Sequence, residues 1–259
     1  MAFSPEERKR YCRHLELPGF GGRAQERLRA GRVMVVGCGG LGSPALYYLA
    51  AAGIGRIGLV DSDMVELSNL QRQILHATPD IGRPKVDSAV ARLRALNPHV
   101  RLAPQGERLT ADNAREFFAP YDIVLDATDN YASKYLINDV CVALHKPFVH
   151  AGISAFCGQL LTVIPGQSAC LRCVYPVPPP ALGAGPKAEA GPLGPIPGVI
   201  GTLQAIEAIK FLTGLGALLT GSLLTYDGLA AEFKTVHAHR NPECPACGGH
   251  PKLQEQTHG

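Results

Sequence analysis

Short apolar runs alternate with longer mixed segments over the first 165 residues of the chain. The run "RVMVV" at 32–36 precedes a glycine-rich turn and an Ala/Leu-rich segment, and a second apolar run follows at 56–60. This order predicts a strand–helix–strand unit whose parallel strands are buried on both faces. The segment 85–105 repeats it, with apolar positions at helical spacing from Val86 to Leu96 and then a strand. The pattern therefore predicts a doubly wound, mainly parallel α/β sheet.

Further apolar runs extend this pattern into the second half of the chain. Runs at 122–126 and 147–153 predict two more buried strands. Those at 158–164 and 221–228 predict later strands, which we expect to form a C-terminal antiparallel part of the sheet. A long apolar stretch at 198–216, ended by glycine, predicts a helix.

Two segments depart from this alternation. Residues 4–30 are polar and helical in pattern, and Ser4-Pro5 followed by two glutamates is a helix start signal. Between 176 and 198, by contrast, 13 of 23 residues are Pro or Gly, which excludes a helix or a central strand. Loops of this length are usually either disordered or functional, so this one is a candidate part of the site.

Composition narrows the class of protein. The 259 residues are 46% hydrophobic, which is enough for a sizeable core, and the formal net charge of +3 is too small to indicate a nucleic-acid partner. The N-terminal segment mixes charged and apolar residues and has no hydrophobic core typical of a signal peptide. No apolar run approaches the roughly 18 residues of a membrane span. We expect a soluble, cytoplasmic protein without a membrane partner.

The glycine turn between the first strand and helix carries a nucleotide signal. "GCGGLG" at 37–42 fits the Gly-x-Gly-x-x-Gly pattern of a Rossmann-like strand–turn–helix. Glycines let the backbone approach phosphates, and the helix N-terminus offers free N–H groups to an anion. Asp61 ends the next strand, 24 positions after Gly37, where it can accept hydrogen bonds from a ribose. This signal does not by itself separate NAD from ATP.

The polar residues after the next strands favour a triphosphate. Asn69, Arg72 and Gln73 follow Asp61, and Lys85 comes shortly after them. Forked arginine donors and a lysine point charge suit phosphates, whereas a nicotinamide needs an apolar slot. Asp126, Asp129 and Asn130 end a later strand, where a carboxylate could hold Mg²⁺. The predicted nucleotide-binding set is Gly37, Gly39, Gly40, Gly42, Asp61, Asp63, Asn69, Arg72, Gln73, Lys85, Asp129 and Asn130.

Four of the eight cysteines form two Cys-x-x-Cys pairs separated by 70 residues. Two such pairs predict a tetrahedral four-thiolate zinc site, which leaves no position for water and is therefore structural. An iron–sulfur cluster and a redox pair are the alternatives. The other four cysteines, Cys157 among them, are expected to be small buried side chains. The predicted zinc ligands are Cys170, Cys173, Cys244 and Cys247.

These motifs together resemble the MoeB/ThiF family, the bacterial relatives of ubiquitin-activating enzymes. The resemblance rests on "RYCRH", "GCGGLGSP", "DSDMVELSNLQRQ", "GRPKVDSA", "DATDN" and the paired Cys-x-x-Cys motifs, and it spans roughly residues 8 to 249. It implies an adenylyltransferase that uses Mg-ATP to activate the C-terminal Gly-Gly carboxylate of a small ubiquitin-like sulfur carrier, as in molybdopterin, thiamine or tRNA-thiolation chemistry.

The resemblance also implies roles for single residues. Gly40 would lie against the nucleotide and Asp61 would bind its ribose, while Asn69, Arg72 and Lys85 would hold the phosphates and Asp129 the Mg²⁺. Arg13 would reach into the partner's site as an arginine finger, so a homodimer is expected. The residues assigned to catalysis are Arg13, Arg72, Lys85 and Asp129.

One departure from the family bears on the mechanism. The ThiF type and many MoeB types of the family carry a cysteine just before an "EAG"-like triplet in the crossover loop, but here Lys187 stands at that position. Cys157 is a substitute thiol in principle, although it is expected to lie in the core. The interpretation is adenylation without a covalent thiol intermediate, followed by sulfur transfer from a separate cysteine desulfurase or rhodanese.

The expected organisation is an N-terminal helical arm (1–30), a nucleotide-binding region (31–165), a zinc-clamped crossover loop with the C-terminal part of the same domain (166–250), and a tail (251–259). Three alternatives stay open: an NAD(P)-dependent oxidoreductase, a zinc-stabilised scaffold with a degenerate site, and a relative that activates a different carboxylate.

Overall fold

The computed structural model describes residues 3–177 and 191–249. Lys187, most of the Pro/Gly-rich loop and the predicted tail at 251–259 lie outside these residues. In the described part the strands are β1 Arg32–Val36, β2 Arg56–Val60, β3 Arg101–Gln105, β4 Ile123–Asp126, β5 Phe148–Ser154, β6 Cys157–Val163, β7 Ser222–Asp227 and β8 Glu232–His237. The helices are α1 Pro5–Arg10, α2 Cys12–Leu15, α3 Gly21–Ala30, α4 Gly42–Ala52, α5 Lys85–Leu96, α6 Ala111–Phe118, α7 Tyr131–Ala143, α8 Leu171–Val174 and α9 Pro195–Thr213.

All eight described strands form one sheet in the order β3-β2-β1-β4-β5-β6-β7-β8. The pairs from β3 to β5 are parallel, and those from β5 to β8 are antiparallel. The predicted fold class, a mainly parallel doubly wound sheet with an antiparallel C-terminal part, is thereby confirmed. Val36 pairs with both Val60 and Asp126, so β1, β2 and β4 end at the same edge. Residues that follow these strands are brought together there.

The two faces of the sheet bury separate apolar clusters. Along β1, Val33 and Val35 pack on one face with residues of α4, α5 and α9, while Met34 packs on the other with residues of α6 and α7. Because successive strand residues point to opposite faces, a continuously apolar strand fits a sheet that helices cover on both sides. Leu96, the last apolar position of the helical pattern, is 37% exposed at the end of α5.

Elements missing from the sequence-based prediction are α6, α7, the short helix α8 and β8. Every residue of β8 is exposed, including Phe233 and Val236. An edge strand without a buried face has no run of buried apolar residues, so the pattern that predicts the central strands misses it. None of the helices in the described part of the chain is long and apolar enough to cross a membrane.

The N-terminal helices pack back onto the body of the protein. Ser4 and Glu7 form a reciprocal capping box at the start of α1, as the sequence predicts. The Asn97 side-chain amide donates to the Tyr11 hydroxyl at 2.9 Å and to the Ala50 carbonyl at 2.7 Å. This buried contact joins the N-terminal helices to the ends of α4 and α5.

Candidate active site

A cavity of about 1240 Å³ opens at the carboxyl ends of the parallel strands. Residues of β5, β6 and β7 also line it, so the cavity extends beyond the glycine turn. Gly42, Asn69 and Arg13 do not line it. The predicted residues that do are Gly37, Gly39, Gly40, Asp61, Asp63, Arg72, Gln73, Lys85, Asp129 and Asn130.

The glycines of the turn have different physical reasons to be glycine. Gly37 has a φ of +101°, and a Cβ on it would lie 2.5 Å from the Ala127 carbonyl oxygen. A Cβ on Gly42 would lie 1.9 Å from the Gly37 carbonyl oxygen. These two glycines are required by the packing of the chain on itself. A Cβ on Gly39 would meet only the Gln73 side chain, at 3.5 Å. Packing therefore does not require glycine at this position, and Gly39 can contact a ligand in the cavity.

Asp61 holds the glycine turn to the end of β2. Its carboxylate accepts a hydrogen bond from the Cys38 N–H at 2.7 Å and another from the Asp63 N–H at 2.9 Å. Burial raises the pKa of the Asp61 carboxyl, and the nearby Lys85 charge opposes that rise. Each oxygen has a second lone pair, so the carboxylate can still accept from a ribose hydroxyl in the cavity.

Lys85 brings a nearly buried positive charge to the cavity at the first residue of α5. Its Nζ lies 2.8 Å from the Asp63 carboxylate, and its side chain is only 7% exposed while that of Asp63 is 67% exposed. The exposed Asp63 carboxylate thus contacts an ammonium group that burial holds in place. An anion in the cavity would find this charge already in position.

Arg72 and Gln73 project from the segment that follows the short 3₁₀ helix Leu67–Asn69. Arg72 donates to the Ser68 carbonyl at 3.1 Å and makes no ion pair within residues 3–177 and 191–249. Gln73 is 5% exposed, and its Oε1 has no hydrogen-bond partner in the described part of the chain. A buried acceptor without a partner is costly, which makes Gln73 a fitting contact for a ligand donor.

Asn69 makes its hydrogen bonds within this same segment. Its Oδ1 accepts a hydrogen bond from the Glu66 N–H at 3.1 Å, and the residue is buried. The Arg72 and Gln73 N–H groups both donate to the Asn69 carbonyl. In this structure Asn69 therefore shapes the turn that carries Arg72 and Gln73, and it is not brought into the cavity itself.

Asp129 and Asn130 follow β4 at the start of α7. Asn130 accepts from the Ser133 N–H at 2.9 Å and so caps α7, which explains its residue type without a ligand. Asp129 is exposed to the cavity, and its carboxylate has no hydrogen bond or ion pair among the described residues. A carboxylate with its oxygens available is the ligand type that suits Mg²⁺.

Asp126 lies deeper and is not available to a cation in the cavity. Its carboxylate accepts from His150 Nδ1 at 2.7 Å and from the Thr128 hydroxyl at 2.6 Å, and Lys134 Nζ lies 3.4 Å from both oxygens. Lys134 also donates to the Thr128 and Ala151 carbonyls at 2.6 Å. Burial raises the pKa of Asp126, but the Lys134 charge and the His150 hydrogen bond outweigh it and lower the pKa to about 2.

Sequence reasoning missed Lys134 and His150, although both line the cavity. A carboxylate only accepts, so His150 Nδ1 donates to Asp126, and burial lowers the pKa of the His150 imidazole against that hydrogen bond. The ring is therefore neutral at pH 7, with Nε2 left as an acceptor facing the Gln159 amide nitrogen at 3.5 Å. Neither residue belongs to a local motif, so the sequence held no signal for this cluster.

The prediction that Cys157 is a core residue is wrong. It begins β6, is exposed, and lines the cavity beside Gln159. Cys157 pairs with Ser154 across the tight β5–β6 turn, and both residues lie at the exposed ends of their strands. Its position at the strand end, rather than its residue type, decides its exposure.

Arg13 lies on the short helix α2, outside the cavity of its own chain. Its side chain is 88% exposed and forms an ion pair with Glu16 at 3.1 Å. Such an exposed pair contributes little to stability, and it leaves the guanidinium accessible to another molecule.

The two Cys-x-x-Cys pairs come together as predicted, with their four sulfur atoms within 4.8 Å of one another. The sulfur atoms are 3.9 Å apart in the first pair, and the contacts between the two pairs are 3.6 Å and 3.3 Å. Four thiolates around one zinc ion at about 2.3 Å stand about 3.8 Å from each other, so the cluster fits that ion. The Asn241 N–H also points at the Cys173 sulfur, at 3.4 Å.

The chain matches known proteins over most of its length. Residues 11–246 match the ThiF family. The chain is 49% identical to a sulfur carrier protein adenylyltransferase of Thermus thermophilus, over 98% of this chain and 96% of that protein. It is 46% identical to the SAMP-activating enzyme E1 of Haloferax volcanii, over 92% of this chain and 88% of the relative.

Two further matches differ from the chain in length or sequence. The chain is 46% identical to the adenylyltransferase and sulfurtransferase MOCS3 of Bos taurus, but it spans only 56% of that protein. A crystal structure of Escherichia coli MccB with MccA-N7isoASN superposes with a TM-score of 0.82 at 24% identity, over 92% of this chain and 74% of the other. This last likeness concerns the fold alone.

The chain belongs to the ThiF family. The resemblance read from its motifs is confirmed, and with it the prediction that the protein is an adenylyltransferase.

Proposed function

We propose that this protein uses Mg-ATP to adenylate the C-terminal Gly-Gly carboxylate of a small ubiquitin-like sulfur-carrier protein. The observation that carries the proposal is one cavity that gathers the glycine turn, Asp61, Arg72, Lys85 and Asp129. The relatives named as sulfur carrier protein adenylyltransferase and SAMP-activating enzyme E1 support the choice of substrate.

The chemistry needs positioning and charge neutralisation more than a protein nucleophile. A carboxylate is a poor electrophile, and its attack on the α-phosphorus of ATP converts it to an acyl-adenylate with release of pyrophosphate. Arg72 and Lys85 would neutralise the phosphate charge that develops in this step. Asp61 would orient the ribose, so the reacting groups are held together before the reaction.

Two metal ions belong to the proposal. Asp129 would hold Mg²⁺, which when bound neutralises phosphate charge. The cluster of Cys170, Cys173, Cys244 and Cys247 would hold a structural zinc ion, which supplies roughly 10 kcal/mol or more of binding energy in such sites. It would tie the segment after β8 to the start of the crossover loop.

Arg13 supports the proposal of a homodimer. It is exposed and remote from its own chain's cavity, so a role in catalysis requires a partner's cavity. We propose that it acts there as an arginine finger, a type of residue worth on the order of 10³-fold or more in phosphoryl transfer.

In the proposed route a separate protein, a cysteine desulfurase or rhodanese, supplies the sulfur that displaces AMP from the acyl-adenylate, and no thiol of this chain holds the carrier covalently. The reason is the lysine at position 187, where the ThiF type and many MoeB types of the family are expected to carry a thiol. The exposed Cys157 makes this testable, because it lines the same cavity. After incubation with ATP and carrier, non-reducing mass spectrometry is expected to show no adduct. An adduct on Cys157 would overturn the non-covalent route.

ATP–pyrophosphate exchange with candidate carriers tests the adenylation itself. Arg72→Ala and Asp129→Ala are expected to abolish exchange while far-UV circular dichroism shows an intact fold. Arg23→Ala and Asp112→Ala are matched controls, because both side chains are exposed and lie outside the cavity. Near-wild-type exchange in both cavity variants, or binding of NAD(P) without ATP, would remove the assignment.

A further inference from the structure

His76 contacts the glycine turn at Cys38, and neither of these two residues lines the cavity. His76 follows Arg72 and Gln73 in the same segment and is 6% exposed. Its two ring nitrogens are both engaged: Nε2 lies 2.9 Å from the Cys38 carbonyl oxygen, and Nδ1 lies 2.9 Å from the Ser88 hydroxyl. The imidazole therefore connects the turn to the helix α5.

These partners fix the tautomer of the ring. A carbonyl oxygen only accepts, so Nε2 carries the proton and donates to Cys38, and the neutral Nδ1 accepts from the Ser88 hydroxyl. Burial lowers the pKa of His76, and the positive charge of Lys85 lowers it further. The carboxylates of Asp61 and Asp80 oppose this shift, but the net pKa is lowered and the ring is neutral.

The hydrogen bond to Cys38 sets the direction of the next N–H group. The described chain has no cis peptide bond, and in a trans peptide the C=O and N–H point in opposite directions. With the Cys38 carbonyl directed at His76, the Gly39 N–H points away from His76. The Gly39 carbonyl in turn accepts from the Ser43 N–H at 2.8 Å, which turns the Gly40 N–H away from helix α4.

Gly39 and Gly40 both line the cavity, and within residues 3–177 and 191–249 neither N–H has a hydrogen-bond partner. Successive backbone N–H groups of this kind form an anion-binding concavity. Because glycine tolerates many backbone conformations, the peptide between Cys38 and Gly39 can also rotate, and rotation would put a carbonyl oxygen where an anion binds. The Asp61 hydrogen bond holds only the Cys38 N–H.

We propose that His76, supported by Ser88, is a positioning residue for nucleotide binding. It holds the Cys38 carbonyl away from the cavity, so that the Gly39 and Gly40 N–H groups are presented to a phosphate of the nucleotide. This inference rests on the proposed function, because it concerns how the same cavity takes ATP. His76 does not line the cavity, so it would influence the nucleotide only through the glycine turn.

The test compares His76→Leu, which removes the donor, with His76→Gln, whose side-chain amide can donate from a similar distance. We expect His76→Leu to raise the Kd for ATP and the KM for ATP about tenfold, since a buried carbonyl loses its partner and the turn its orientation. The kcat is expected to change less, and His76→Gln is expected to restore most of the affinity. His99→Leu, an exposed histidine outside the cavity, is the matched control.

A spectroscopic readout keeps the inference testable if His76→Leu does not fold. Nitrogen-15 NMR of the wild-type protein is expected to show the Nε2-protonated tautomer at His76, and Ser88→Ala is expected to shift the Nδ1 resonance. An Nδ1-protonated ring, or a folded His76→Leu that binds ATP like the wild type, would overturn the inference and leave the proposed function intact. Absence of ATP binding in the wild-type protein would instead refute the proposed function.

Discussion

Replacing Lys134 with methionine removes the positive charge that compensates Asp126 inside the protein. Lys134 is 7% exposed and Asp126 1% exposed, so solvent screens this pair very little. Methionine keeps much of the side-chain volume but leaves the carboxylate with His150 and Thr128 as its remaining partners. The Thr128 and Ala151 carbonyls also lose their common donor.

The size of the effect follows from the pair's burial. Breaking a buried ion pair by removing one partner costs about 3–5 kcal/mol of the free energy of unfolding. Because Asp126 retains three hydrogen-bond donors, the Thr128 N–H, the Thr128 hydroxyl and His150 Nδ1, we expect a loss near the lower end, about 3 kcal/mol at pH 7. In the wild type, the lowering of the Asp126 pKa from 3.8 to about 2 corresponds to about 2 kcal/mol of stability.

The stability deficit of Lys134→Met is expected to depend on pH in a definite direction. The folded-state pKa of Asp126 is lowered, so the wild type has this stability above about pH 4 and loses it as pH falls towards 2. In Lys134→Met the lysine charge no longer opposes burial, so the Asp126 pKa is expected to rise above its wild-type value. The deficit of the variant is therefore largest near pH 7, and it shrinks as acid protonates the carboxyl.

Urea unfolding followed by far-UV circular dichroism measures the effect, because the chain contains no tryptophan for fluorescence. Lys9→Met, at an exposed residue that makes no hydrogen bond or ion pair with its side chain in the described part of the chain, is expected to stay within about 0.5 kcal/mol of the wild type. Asp126→Asn combined with Lys134→Met is expected to cost less than the two single changes summed. A deficit under about 0.5 kcal/mol for Lys134→Met at pH 7, or one that does not change with pH, would refute the reasoning.

Three further predictions concern the turn, the metal and the assembly. Gly42→Ala, whose Cβ would lie 1.9 Å from a backbone oxygen, is expected to prevent stable folding, whereas Gly39→Ala is expected to fold and bind ATP more weakly; thermal melts and calorimetry separate the two. Freshly purified protein is expected to hold close to one zinc ion per chain. Cys244→Ser is expected to lose the zinc and to unfold at a lower temperature, and less than half an equivalent of zinc in the wild type would contradict this. Arg13→Ala and Arg72→Ala, each inactive alone, are expected to regain about a quarter of the exchange activity when mixed, since half of the randomly formed dimers then hold one intact site; no recovery despite subunit exchange would argue against the finger.

Much of the fold is predictable because its central strands are buried on both faces. Strands such as β1 and β4 must then be apolar over most of their length, and that leaves a strong pattern in the sequence. The edge strand β8, which is exposed along its whole length, carries no such pattern. Exposure at the ends of elements is also hidden from the pattern, as Leu96 and Cys157 show.

The candidate site divides in the same way. Residues directly after a strand or within a local motif, such as Asp61, Lys85 and Asp129, are predictable because chain order and strand direction place them at one edge of the sheet. The two cysteine pairs are likewise found by spacing alone. Asn69 shows the limit of such reasoning, since its side chain bonds within its own turn in this structure.

By itself, then, the sequence determined the class of fold, the edge of the sheet where the cavity lies, the cysteine cluster and the family, because each leaves a mark in neighbouring residues. Only the tertiary structure decided which side chains meet across distant elements: Lys134 with Asp126 and Ala151, and His76 with the Cys38 carbonyl. The physical reason is that a buried polar group must find its partner wherever packing brings one, and that pairing follows no spacing along the chain.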